Sequence, residues 1–300
     1  MHRIIFYIKS EIYGNGHYVR AKNIRKKFRN KYKIKLVNLA KIEEQKKLFN
    51  IIDNVKEVIF DISNEFFLRS NKKFLLNLFS KFKNNTRINV IDSIFPNTIL
   101  NFCKKLKIKN YINADILYLK KPKNIKNLFL GPKYLIGLNK FKLVKNNNKN
   151  NILIFLTASK SSLNTKLLRF IKKEKNFFLK YKIKFITNDP NILKKKFNEL
   201  KFIKFLQIQN RLKLSDYLKR TNIVISGQGN FKYEILLSKI PLIIIANNDL
   251  YISFKKRFKN TPIVNQKKLS HLKKYVLKMM KLKKTKKYFD ILNFNKIFFS

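Results

Sequence analysis

Short β-branched runs alternate with longer amphipathic runs along this 300-residue chain, and that alternation narrows the architecture before anything else does. In the first half the strand candidates are residues 3–8, 33–39, 55–61 and 87–92, with a weaker one at 108–112. Between them lie helical stretches such as residues 64–83, where Leu75, Leu78, Phe79 and Phe82 recur at helical spacing. A polar, low-complexity stretch at 142–151 (KLVKNNNKNN) then reads as an interdomain linker. Beyond it the pattern restarts. Strands at 151–156, 183–187, 202–206, 222–226 and 241–245 alternate with helices at 161–180, 191–200, 213–220 and 230–239. A last helix at 266–281 is placed to brace the first domain. Alternation of this kind dictates a parallel sheet covered by helices. The expected fold class is α/β, with two Rossmann-like parallel-sheet domains facing across a cleft. The domains expected are residues 1–141, the linker 142–151, residues 152–282 and a C-terminal tail, 283–300.

The chain has only six glycines, and they fall in three pairs: Gly14/Gly16, Gly131/Gly137 and Gly227/Gly229. The first and last pairs directly follow strand candidates (RIIFYI and NIVIS) and directly precede helical stretches. Bare backbone at such a turn lets a ligand approach closely. One such turn in each half points to two walls of one anion-binding cleft.

A formal charge of +53 and a pI near 10.4 would ordinarily point to nucleic acid or an anionic membrane. The composition supplies a simpler cause. Of the 69 basic residues only ten are arginine, Ala and Gly are scarce, and Asn, Ile and Phe abound, which is the imprint of an AT-rich genome. Proteins that read nucleic acid lean on arginine, whose planar fork pairs bidentately with bases and phosphates. Nucleic acid is therefore disfavoured as a partner, although a positive field still speeds encounter with a small anion.

The length and an apolar content of 45% suffice for two packed domains. A single cysteine, Cys103, excludes an internal disulfide and suits a reducing compartment. The longest apolar run, residues 240–246, is far shorter than the roughly 20 residues a membrane span needs. A cytoplasmic monomer is expected, with weak peripheral membrane contact at most.

The first chemical constellation is Gly14-Asn15-Gly16-His17-Tyr18-Val19-Arg20. A helix opening near His17 puts an imidazole at the cleft mouth beside a positive dipole end, which favours neutral imidazole and hence a general base. Arg20, one turn on, is suited to a phosphate or to a carboxylate beneath the site. The bland alternative is a capping turn in which His17 hydrogen-bonds backbone. The second constellation is Ser226-Gly227-Gln228-Gly229-Asn230-Phe231-Lys232-Tyr233-Glu234. Its backbone N–H groups suit a diphosphate, and Glu234 suits the two hydroxyls of a ribose. The alternative there is a surface Glu that stabilises a helix start.

Together, the Gly14-Asn15-Gly16-His17-x-x-Arg20 turn and the Ser226-Gly227-x-Gly229-x-x-x-Tyr233-Glu234 turn resemble the UDP-sugar hydrolases of nonulosonic (pseudaminic) acid synthesis. These are relatives of the two-domain nucleotide-sugar glycosyltransferases of GT-B fold. Weaker echoes in the same order are residues 58–61 (VIFD), 90–92 (VID) and 131–134 (GPKY). The resemblance implies metal-independent, cofactor-free hydrolysis of a UDP-linked diacetamido-trideoxy sugar to UDP and free sugar. In that reading His17 is the base acting on water at the anomeric carbon. The turn of Gly227, Gln228, Gly229 and Asn230 after Ser226 holds the diphosphate, and Glu234 holds the ribose. Gly14 and Gly16 shape the first turn, with Arg20 and Asp61 in support.

Departures from the family pattern fall at Leu156-Thr157-Ala158-Ser159, at Ile62-Ser63-Asn64 and at Asn139-Lys140-Phe141. A glycosyltransferase of the same fold, passing the sugar to an acceptor hydroxyl, is the main alternative, and a polyanion-binding protein the second. One Cys and three scattered His give no zinc spacing, and no D-x-D pair is present to bind a metal–diphosphate. Ser159, Ser161 and Ser162 read as helix-capping residues.

Overall fold

The computed structural model describes residues 2–9, 16–41, 43–44, 52, 55–62, 72–83, 85–92, 108–113, 127–130, 141, 150–156, 162–207, 211–247, 251–252, 254–255, 258 and 260–282. They fall into two compact units, one within Met1–Leu138 and the other within Asn139–Phe289.

The described elements of the first unit are β1 (His2–Tyr7), α1 (Gly16–Phe28), β2 (Ile34–Asn38), β3 (Val55–Asp61), α2 (Lys72–Ser80), β4 (Arg87–Asp92), β5 (Ile108–Asn113) and β6 (Asn127–Leu130). All strand pairs are parallel, in the order β2-β1-β3-β4-β5-β6. Alternate side chains go to opposite faces. One face, with Ile4, Phe6, Val58, Phe60, Ile88, Val90 and Tyr111, packs with Leu78 and Phe79 of α2. The other, with Ile5, Tyr7, Ile59, Ile91 and Ile112, packs with Ala21, Ile24 and Phe28 of α1. Burial on both sides is what a parallel sheet requires, and it explains why the strands read as near-continuous apolar runs.

The second face also carries a row of polar side chains toward the strands' N-terminal ends. Asn89 donates to Glu57 Oε1 at 2.9 Å, Asn110 donates to Asn89 at 2.7 Å, and Asn127 donates to Asn110 at 2.9 Å. Arg3, stacked on Tyr32 at 3.5 Å, closes the row against Glu57, also at 3.5 Å. Mutual hydrogen bonding is what permits this burial, because a buried amide without a partner costs free energy.

The second unit comprises β7 (Asn151–Phe155), α3 (Ser162–Lys173), α4 (Lys175–Phe178), β8 (Lys182–Ile186), α5 (Pro190–Lys196), β9 (Ile203–Leu206), α6 (Arg211–Lys219), β10 (Ile223–Ser226), α7 (Phe231–Leu237), β11 (Leu242–Ala246), β12 (Ile263–Asn265) and α8 (His271–Met280). Its sheet is again wholly parallel, in the order β12-β11-β10-β7-β8-β9. Leu163, Leu167, Leu168 and Ile171 of α3 share a core with Leu272, Val276 and Met279 of α8 and one face of the sheet. The apolar face of α8 thus belongs to the second core. The helical stretch expected at 161–180 is two helices, α3 and α4, separated at Glu174.

Helix α7 ends in a Schellman motif: Ile240 N–H bonds Ile235 O at 3.3 Å and Lys239 N–H bonds Leu236 O at 3.1 Å. Lys239 takes the left-handed position, with φ of 58°, that glycine usually occupies.

Candidate functional site

In the first sheet the connections leave β1 in opposite directions, to β2 on one side and to β3 on the other. Open α/β sheets bind ligands at the strand C-termini where the order reverses, here between β1 and β3. Asp61 is the last residue of β3, in register with Tyr7 at the end of β1. Gly16 opens α1, and Tyr18 packs on Tyr7 with ring centroids 5.2 Å apart, which holds the first turn of α1 against the sheet edge. His17 and Arg20, three residues apart on that helix, meet Asp61 there.

The three side chains form a closed, buried group. Arg20 Nε donates to Asp61 Oδ2 at 2.7 Å, and Arg20 Nη2 donates to Asp61 Oδ1. His17 Nδ1 lies 2.6 Å from Asp61 Oδ1 and 3.1 Å from Arg20 Nη2. Burial by itself would push the Asp61 carboxyl up. The Arg20 guanidinium, His17 and the hydrogen bonds that both make outweigh it and hold the carboxyl below its ordinary value. An ionised carboxylate only accepts, so the 2.6 Å contact puts the proton on His17 Nδ1 and leaves the Nε2 lone pair as the ring's basic site. Exposure ranks them: Asp61 0%, Arg20 4%, His17 7%. Of the three, the imidazole keeps the largest share of its surface exposed. Of the two partners open to Arg20 in the sequence, the structure shows the carboxylate. Gly14 and Asn15 lie outside the described residues.

The second sheet has its own reversal, between β7 and β10, and the turn from Ser226 to Asn230 leaves β10 at that point. Gly227 N–H reaches Phe155 O at 3.4 Å, and a Cβ at Gly227 would stand 2.1 Å from the carbonyl oxygen of Leu156. Glycine here is a packing requirement: the turn lies against the end of β7. At Gly229 an added Cβ meets nothing within 4 Å. Ser226 is buried and its hydroxyl donates to Gly227 O at 3.3 Å, Gln228 and Asn230 are half-buried, and Gly229 is exposed. Asn230 makes no side-chain cap on α7.

Glu234 is buried on α7, not a surface residue. Its backbone carbonyl accepts from the Ser238 hydroxyl at 2.7 Å, and Ser238 Oγ in turn accepts from Phe141 N–H at 2.8 Å. Among the departures from the family pattern, Thr157–Ser159, Ser63–Asn64 and Asn139–Lys140 lie outside the described residues, as do the 131–134 echo and Cys103.

Sequence reasoning missed Lys232. It is fully buried, with Nζ 2.5 Å from Gln228 O and 3.3 Å from Gly229 O. One signal was present: Lys232 shares a helix face with Ile235 and Leu236, which marks it as inward-facing.

No group of three or more His, Cys, Asp and Glu able to hold a metal occurs among the described residues, and none of their helices is long and apolar enough to cross a membrane.

Compared with solved structures, the chain matches two-domain nucleotide-sugar enzymes along nearly its whole length. A Listeria monocytogenes protein assigned as a UDP-N-acetylglucosamine 2-epimerase aligns with TM-score 0.59 at 8% identity, over 96% of this chain and 92% of that one. The two-unit fold is of GT-B type. The UDP-GlcNAc 2-epimerase of Methanocaldococcus jannaschii, solved with UDP-GlcNAc and UDP, shares that fold with TM-score 0.51 at 14% identity, over 96% and 94% of the chains. MurG of Acinetobacter baumannii gives 0.52 at 9%, over 93% and 90%. At these identities the likeness is one of fold. No family model and no curated protein matches this GT-B chain in sequence.

Proposed function

We propose that the protein is an enzyme acting on a UDP-linked sugar, with base chemistry in the first unit and nucleotide recognition in the second. The observation that carries this reading is the His17–Asp61–Arg20 group at the β1/β3 reversal. Asp61 holds the Nδ1–H tautomer and so leaves Nε2 to take a proton, and Arg20 keeps Asp61 ionised. A base so arranged deprotonates an oxygen nucleophile as it attacks the anomeric carbon, while UDP departs with the bonding pair. The glycine turn of residues 227–230, with Glu234 beside it, is assigned to the diphosphate and ribose.

An acceptor hydroxyl is the favoured nucleophile, which makes glycosyl transfer the first reading. Its support is the fold, shared with the kitacinnamycin glycotransferase, the spinosyn rhamnosyltransferase SpnG and the 2-epimerases to which the chain is similar. Hydrolysis, with water as nucleophile and a diacetamido-trideoxy sugar as the group released, is the second, supported by the two glycine motifs. Incubation with UDP-sugars separates them: UDP released only when an acceptor sugar is added supports transfer, and release in buffer alone supports hydrolysis. Absence of any thermal stabilisation by UDP or a UDP-sugar would overturn both.

A further inference from the structure

An ammonium group removed from water loses several kcal/mol of hydration, so a fully buried lysine needs compensation. Lys232 has it. Its Nζ lies 2.5 Å from Gln228 O and 3.3 Å from Gly229 O, and it stands 4.1 Å from the ring centroid of Tyr233 and 4.8 Å from that of Phe254. Both rings are themselves fully buried, and desolvated cation–π contacts of this kind are favourable. The aromatic cage tolerates the charge; the two carbonyls give it a direction.

That direction constrains the turn. Peptide units are planar, and the chain has no cis peptide bond among its described residues, so each carbonyl and the N–H that follows it point to opposite sides. Drawing Gln228 O toward Nζ therefore turns the N–H of Gly229 the other way, and Gly229 O, held by Nζ at 3.3 Å and by Lys232 N–H at 3.4 Å, does the same for the N–H of Asn230. Among the described residues those two N–H groups make no hydrogen bond. Gly229 is exposed, with open space where a side chain would stand. Gly227, pressed on Leu156 O, fixes the other end of the turn.

We propose that Lys232 is a positioning residue that holds the Gly227–Asn230 turn with its carbonyls inward and the amides of Gly229 and Asn230 outward, prepared for the anionic oxygens of a nucleoside diphosphate. The inference rests on the reading of this turn as the nucleotide side of the site. Its consequence is selective: the lysine matters for the phosphates and not for the nucleoside, because a nucleoside presents no anionic oxygen to those amides.

The test compares UDP with uridine, titrated by NMR into the wild-type chain and into Lys232→Met and Lys232→Arg. Loss of charge-assisted order at the turn should weaken UDP binding by about tenfold or more in Lys232→Met, with uridine binding unchanged and partial recovery of UDP binding in Lys232→Arg. A purely structural role would lower both affinities together, and that result overturns the proposal, as does a folded Lys232→Met chain that binds UDP like the wild type. Should Lys232→Met not fold, amide hydrogen exchange of the wild type decides. Saturating UDP should slow exchange at Gly229 and Asn230, and unchanged exchange there overturns the assignment while leaving nucleotide binding itself intact. A wild-type chain that does not bind UDP at all removes the nucleotide reading of the turn, and this role with it.

Discussion

Arg20 and Asp61, forty-one positions apart, meet through both carboxylate oxygens, with Arg20 Nε 2.7 Å from Oδ2 and Nη2 on Oδ1. Neither side chain is more than 4% exposed. Removing one partner of a buried pair leaves an uncompensated charge, so Arg20→Met should destabilise the first unit by about 3–5 kcal/mol. Urea denaturation followed by circular dichroism measures this.

His17→Ala should leave the fold intact and lower UDP release from a UDP-sugar by about 10²–10⁴-fold, the usual contribution of a positioned base. Asp61→Asn should also depress turnover, since an amide can donate to Nδ1 and hold the ring in the other tautomer. Initial rates at saturating substrate report both. A His17→Ala enzyme with wild-type turnover would remove the imidazole from the chemistry.

Asp61 also makes stability depend on pH. Its carboxyl is held below its ordinary value in the folded chain, so between the two values the unfolded chain binds a proton that the folded chain does not. The stabilisation is fully present above the unfolded pKa and is lost as pH falls through the folded one. The stability difference between wild type and Asp61→Asn, taken from urea midpoints, should therefore narrow as pH is lowered from about 5 to about 3.

Gly227 and Gly229 look alike in sequence and should respond differently. Gly227→Ala forces a methyl group onto Leu156 O and should destabilise by about 1–3 kcal/mol or more. Gly229→Ala should change stability by less than about 0.5 kcal/mol, as expected for a surface position with open space. Thermal melts of the two variants check the contrast.

Lys239→Gly should stabilise by about 0.5–1 kcal/mol, because glycine takes the φ of 58° without steric cost. A lower melting temperature would contradict that.

Most of the architecture was legible because strands buried on both faces must be near-continuous apolar runs, as residues 223–226 and 242–246 are. β6 escaped because NLFL carries no β-branched residue, and β12 because three residues are too few to establish a period. His17, Arg20 and Asp61 were each identifiable by type and by their place after a strand. Their closure into one group depends on the parallel register of β1 with β3, which local sequence does not encode. Lys232 was hidden by abundance: in a chain of 69 basic residues one more lysine carries little information, and only its helix phase set it apart.

The row of amides running from Glu57 to Asn127 bears on how this composition remains foldable. A drift toward Ile, Phe, Lys and Asn makes the strand segments nearly interchangeable, so hydrophobic content alone discriminates poorly between one alignment and a neighbouring one. Sliding β4, β5 or β6 by one position would swing its amide to the opposite side of the sheet and break a link with the strand beside it. The row acts as a checksum on the register of β3 to β6, which lets the rest of the alphabet wander there.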